Sequence, residues 1–145
     1  MPKKKTIERA KRDRAEGKAP TTQAGEFVRE EIEDIRQGKH GARSPEQAIA
    51  IGLSKARRAG VPLPPPKKGT TSEATRKRAE RDLEKGRSGK QTKPSAKRSR
   101  ARLEVLQRES RAVASKPALA KHAKKAAARR RARGKVTSSG SASSK

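Results

Sequence analysis

The chain has 145 residues, with 41 Lys and Arg against 15 Asp and Glu, a formal charge of +26 and a pI near 11.6. With 28% hydrophobic residues, one Phe and no Trp, Tyr or Cys, it is too polar and too charged for one large globular domain. The composition also excludes a disulfide scaffold, and no stretch approaches the roughly 18 apolar residues of a membrane span.

The first residues, MPKKKTIERAKRDRAEG, carry cations but no apolar run of the secretory kind, so a soluble, cytoplasmic protein is expected. Charge then divides the chain. Residues 1–21 carry a net +5, residues 22–63 a net +1 and residues 64–145 a net +20. Residues 1–21 read as a basic arm.

TTQAGEFVREEIEDIRQG has the grammar of a helix, with Thr22 as N-cap and Gly38 just past the end. Ala24, Val28, Ile32 and Ile35 fall on one helical stripe, with Phe27 beside it. A turn over Gly38–Arg43 follows, and its His40 reads as a solvated turn histidine. Ser44 then caps a second helix, with Pro45 in the first position and Gln47 completing a capping box. Ile49, Gly52, Leu53 and Ala56 recur at helical spacing, Lys55, Arg57 and Arg58 complement the dipole in the last turns, and Gly60 is the stop.

Residues 22–60 are therefore predicted to form a helical hairpin with Val28, Ile32, Ile35, Ile49 and Leu53 as its core. So few large apolar residues leave it marginal against the entropy of ordering the chain, and self-association or another helix would have to cover it.

VPLPPPKKG (61–69) places four prolines in six residues and reads as a semi-rigid, extended linker. Residues 70–136 read as a basic arm, partly helical and partly disordered. Within it lie a charged helix from Ser72 to Gly86, a thin stripe of Leu103, Leu106 and Val113, and an alanine-rich helix opened by Pro117. Residues 137–145 read as a flexible Ser-rich tail. The predicted fold class is mostly α, a short helical hairpin with long basic, partly disordered flanks and no sheet.

One internal echo is visible. RAKRDRAEGK (9–18) aligns with RAERDLEKGR (78–87), sharing Arg9/Arg78, Ala10/Ala79, Arg12/Arg81, Asp13/Asp82 and Gly17/Gly86.

Catalytic chemistry is poorly supplied. His40 and His122 are the only histidines, and no Cys is present. The acidic run Glu26, Glu30, Glu31, Glu33 and Asp34 lacks a pocket to separate carboxyl pKa values, and reads as self-neutralisation against nearby cations. GRSGKQT (86–92) lacks the G-x-x-x-x-G-K-[ST] spacing and a preceding strand. No enzyme, metal or cofactor site is expected.

Specific DNA readout is disfavoured as well. The turn over 38–43 has six residues, longer than that of a helix-turn-helix, and only Gln47 could read a base edge. Stacking on single strands needs aromatic platforms, and Phe27 belongs to the apolar stripe. What remains is backbone neutralisation by the runs Lys3–Lys5, Arg9–Arg14, Arg76–Arg81, Lys97–Arg102 and Lys121–Lys135. The phosphate contacts expected individually are Lys3, Lys4, Lys5, Lys55, Arg57, Arg58, Arg76, Lys77, Arg78, Arg98, Arg100, Arg102, Lys124, Lys125, Arg129, Arg130, Arg131 and Arg133.

The segment EFVREEIEDIRQGKHGARSPEQAIAIGLSKARRAGVPLPPPKKG (26–69) resembles a family of small basic bacterial proteins of unknown function, often labelled DNA-binding or plasmid-stabilisation proteins. GARSPEQAIAIGLSKARRAG carries the most specific part of the likeness. The Lys/Ala/Arg-rich C-terminus is similar in composition to bacterial histone-H1-like tails. The resemblance implies a bacterial, cytoplasmic or nucleoid-associated protein and supplies no catalytic residues.

The expected function is thus nucleic-acid binding without sequence preference, histone-like in manner. DNA is favoured, RNA is left open, and no membrane is involved. Two alternatives stand beside it: a protein-interaction module built on the 22–60 hairpin with tethering basic tails, and a ribosome- or RNA-associated basic protein.

Overall fold

The computed structural model describes residues 2–89 and 95–142, the last ten of these by backbone alone. These residues are mostly helical, and no strand occurs among them. The helices are α1 (Lys4–Ala15), α2 (Pro20–Arg36), α3 (Pro45–Arg58), α4 (Glu73–Ser88), α5 (Ala96–Arg108) and α6 (Lys116–Ala142), with a 3₁₀ turn at Ala112–Ala114. None of them is long and apolar enough to cross a membrane.

α2 and α3 form the centre and run antiparallel. Ala24 and Phe27 near the start of α2 cluster with Ala56 near the end of α3, while Ile35 at the end of α2 clusters with Ala48 at the start of α3. The approach is close because Gly52 has no side chain: a Cβ there would lie 2.6 Å from the Val28 Cα. Small residues therefore face inward on α3, with Ala48, Gly52 and Ala56 buried.

The innermost positions consequently differ from the predicted core. Ile35 is fully buried, but Val28, Ile32, Ile49 and Leu53 are half-buried and flank the contact. Phe27 is the largest residue at the centre, only 1% exposed.

α2 also starts three residues earlier than predicted. Pro20 occupies the first turn with Ala19 as the cap, and Thr22 lies inside the helix. Proline's fixed φ and missing N–H suit that position, which outweighs the capping preference of threonine. The cap of α3 is at Ser44, whose side chain accepts from the Gln47 amide at 3.2 Å. The Gln47 carbonyl oxygen accepts from the Arg43 amide, one residue before the cap.

Residues read from sequence as basic arms fold onto this pair. α1 packs on α2 through Thr6, Ala10 and Asp13, its buried residues. α4 packs on α3 through Ala79 and Asp82. α4 passes through Gly86, the predicted stop, and ends at Gly89, which takes the left-handed conformation with φ +66°. Gly86 lies within the helix and lets α4 approach the end of α3, since a Cβ there would collide with the Arg57 carbonyl.

The proline segment is anchored as well, with Val61 and Leu63 buried in the cluster around Phe27. At the other end of the pair, Ala114 inserts among Ile35, Ala42 and Ala48. Three hydrogen bonds tie it down: Gly41 N to Leu106 O at 2.7 Å, Ala42 N to Ser110 O at 3.0 Å and Arg36 Nε to Ala114 O at 2.8 Å. The backbone of α6 continues to Ala142, through part of the predicted Ser-rich tail; residues 143–145 lie outside the described residues.

Candidate nucleic-acid interface

Carboxylates and cations are sorted differently by this fold. Asp13, Glu30, Glu31, Asp34 and Asp82 are all less than a tenth exposed, while Arg57 is the one Lys or Arg as buried among the described residues. Burying a carboxylate is tolerable only when it is paired or hydrogen-bonded, and each buried acid here has at least one donor, most of them on cations that stay partly exposed.

Three of the expected phosphate contacts pair with buried acids, and two more are engaged within the fold. The Lys3 ammonium donates to Asp34 at 2.9 Å and the Lys3 amide to Glu30 at 3.0 Å. Lys55 donates to Glu31 at 2.6 Å, and Arg58 to Asp82 at 2.8 Å, where Ser54 also donates at 2.7 Å. Arg76 bridges Glu73 and Glu80 along its own helix. Arg57 is a correction to the sequence reading: its buried guanidinium donates to the Leu63 and Pro64 carbonyls and straps the proline segment to α3. Burial pushes its pKa down from the ordinary value, and the Asp82 charge acts in the opposite sense.

His40 is a second correction. It is 8% exposed, with Nε2 2.7 Å from Glu31 Oε1 and Nδ1 2.9 Å from the Gly41 carbonyl. Glu31 therefore joins the loop after α2 to Lys55 on α3. The acidic run also does more than balance charge, since three of its members, Glu30, Glu31 and Asp34, are buried struts.

The remaining expected contacts face outward. Lys4, Lys5, Lys77, Arg78, Arg98, Arg100, Arg102, Lys124, Lys125, Arg129, Arg130 and Arg131 are exposed. None of them has a carboxylate within 4.0 Å among the described residues. They spread over α1, α4, α5 and α6 and do not converge on one point. The Arg133 side chain lies outside the described residues, as do Lys90–Thr92 of the rejected phosphate-loop segment.

Other outward cations are not among the individual contacts expected: Lys11, Arg12 and Arg14 on α1 and Arg81 on α4, which lie within the basic runs, and Lys85 and Arg87 on α4, which lie outside them. The internal echo carried a signal for them. Its paired residues Ala10/Ala79 and Asp13/Asp82 are all buried, at 5%, 6%, 7% and 8% exposure. An Ala and an Asp three residues apart thus mark the inward face of each helix, and neighbouring cations point away.

Among the described residues no three of His, Asp and Glu converge as a metal site. One open cleft of about 470 Å³ lies between α1, α4 and the turn after α3. Comparison with protein-family models, curated proteins and solved structures gives no match to this chain.

Proposed function

We propose that this chain binds nucleic acid, DNA before RNA, through its phosphate backbone and without sequence preference. The observation that carries the reading is the sorting of charge: five carboxylates are turned inward, while cations on α1, α4, α5 and α6 stay exposed without carboxylate partners. The excess of cations in the sequence is therefore displayed by outward-facing side chains. A polyanion answers such a surface through counterion release. The resemblance of residues 26–69 to small basic bacterial proteins labelled DNA-binding points the same way, toward a nucleoid-associated role. Such a protein would act by neutralising and bridging strands, with no catalytic step.

Competition tests this directly. Unlabelled duplexes of unrelated sequence should displace a labelled random duplex from the full chain equally well, and duplex RNA less well than DNA. A preference above about tenfold for one sequence, the scale of a single well-read base pair, would contradict backbone binding.

α5 supports a second reading. Leu103 and Val105 are 44% and 59% exposed, and no residue of this helix is buried. A protein partner covering Leu103 and Val105 would make α5 the contact of an interaction module, in place of the 22–60 pair. Leu103→Glu with Val105→Glu should then abolish capture of that partner and leave duplex binding in place.

A further inference from the structure

We propose that the cleft between α1 and α4 is the chain's principal phosphate grip, where Lys11 and Arg14 on one lip and Arg87 on the other hold one run of nucleic-acid backbone. The proposal rests on the nucleic-acid reading above and deepens it, by locating binding in the folded body instead of spreading it evenly along the basic arms.

The first support is the lining. Ile7, Pro62 and Leu83 give the cleft an accessible apolar floor, three cations stand at the edge, and no Asp or Glu contributes to the wall. In a chain with 15 acidic residues, such a carboxylate-free cleft is selective for anions. Lys11, Arg14 and Arg87 are exposed and have no carboxylate within 4.0 Å among the described residues, so no internal ion pair must break before they meet a phosphate.

The second support is the internal echo. α1 and α4 dock by the same Ala and Asp pair, on α2 and α3 respectively. That common docking sets the two helices on either side of the cleft with their cations outward. Where Gly86 meets the Arg57 carbonyl there is no space for a Cβ, so α4 and the end of α3 hold a fixed separation there. A preformed grip avoids the entropy of ordering flexible arms around a ligand. Sugar C–H faces suit the apolar floor, and phosphates suit the lips. Phe27, only 1% exposed, offers no stacking surface, which favours backbone over an unpaired base.

The test compares two charge-matched variants of the full chain on a short random DNA duplex across a salt series. One is Lys11→Gln, Arg14→Gln and Arg87→Gln; the control is Arg43→Gln, Lys67→Gln and Lys68→Gln, three exposed cations away from the cleft. Loss of three phosphate contacts should reduce the slope of log K against log salt by about 2–3 for the lip variant, and by less than about 1 for the control. Affinity should fall at least tenfold further in the lip variant.

Amine acetylation of the unmutated protein gives an answer free of folding effects: duplex should protect Lys11 several-fold more than Lys67. Equal losses in both variants, or equal protection of both lysines, would overturn the grip and leave nucleic-acid binding standing. Failure of the unmutated chain to bind duplex at all would overturn both. Displacement of the duplex by polyglutamate of matched charge, with the same dependence on the lips, would assign the cleft to an acidic polypeptide and overturn the proposal.

Discussion

His40 Nε2 lies 2.7 Å from Glu31 Oε1, and Lys55 Nζ lies 2.6 Å from the other oxygen of the same carboxylate. The second ring nitrogen of His40 faces the Gly41 carbonyl at 2.9 Å. Both histidine partners are acceptors, so both bonds form together only when each ring nitrogen carries a proton. Glu31, 1% exposed, thus joins α2, the loop after it and α3.

Removing that carboxylate should unfasten all three. Glu31→Ala leaves a buried histidine and a half-buried lysine without their acceptor, and is expected to destabilise the protein by about 3–5 kcal/mol, the usual loss on breaking a buried ion pair. Glu31→Gln keeps one acceptor and should lose less. Urea unfolding followed by circular dichroism measures both; equal stability of Glu31→Ala and the unmutated protein would remove Glu31 from its structural role.

Two glycines in the central pair should respond with opposite signs. Gly52→Ala forces a methyl group to within 2.6 Å of the Val28 Cα, an overpacking expected to cost about 1–3 kcal/mol. Gly25 is an exposed position within α2, and a methyl group there would meet nothing within 4 Å. Gly25→Ala should stabilise by about 0.5–1 kcal/mol through helix propensity alone. Thermal melts of the two variants on either side of the unmutated protein are the expected pattern.

Local chemistry was legible in the sequence, and long-range pairing was not. Ser44, Pro45 and Gln47 announced the start of α3 because a cap is decided within four residues. Ser72 announced α4 for the same reason, and its side chain accepts from the Thr75 amide. α1 escaped notice because its inward face is Thr6, Ala10 and Asp13, which leaves no stripe of large apolar residues. The burial of His40 could not be read because its partner Glu31 stands on another element. Arg57 looked like a surface cation because its acceptors are backbone carbonyls, which every residue carries. The rotation of α3 toward its alanines depends on how closely Gly52 lets α2 approach.

Asp34 should set an acid limit on the docking of the N-terminus. Burial by itself pushes this carboxyl up, but hydrogen bonds from Lys3 and Lys39 outweigh it and leave its pKa below the ordinary value. A lowered folded-state pKa means stability that is present above the unfolded value, roughly 3.9, and lost as pH falls through the folded one. The Lys3 ammonium is held above its ordinary value by the same bond, so its share persists until strongly alkaline pH. Asp34→Asn should therefore be less stable than the unmutated protein at neutral pH, with the difference shrinking as pH falls below the ordinary carboxyl range. A difference independent of pH would contradict the pairing.

Ala114 should act as the pin of the C-terminal region. It is 1% exposed among Ile35, Ala42 and Ala48, so Ala114→Glu buries an unpaired carboxylate or expels the segment. Expulsion is the cheaper outcome, because an isolated buried charge is far more costly than a lost methyl contact. Limited trypsin digestion should then cut faster after Arg108 and Arg111, while α2 and α3 keep their protection. Unchanged cleavage at both sites would show that the segment is not held through Ala114.

Binding of phosphate backbone by the outward cations is tested by the affinity of the full chain for random duplex DNA across a salt series. If about eight phosphates are neutralised per protein, log K should fall against log salt with a slope near −7, with the same slope on unrelated sequences. A shallow slope, or binding that is already weak near physiological salt, would contradict phosphate-backbone binding and turn attention to α5, with its exposed Leu103 and Val105, as the contact with a protein partner.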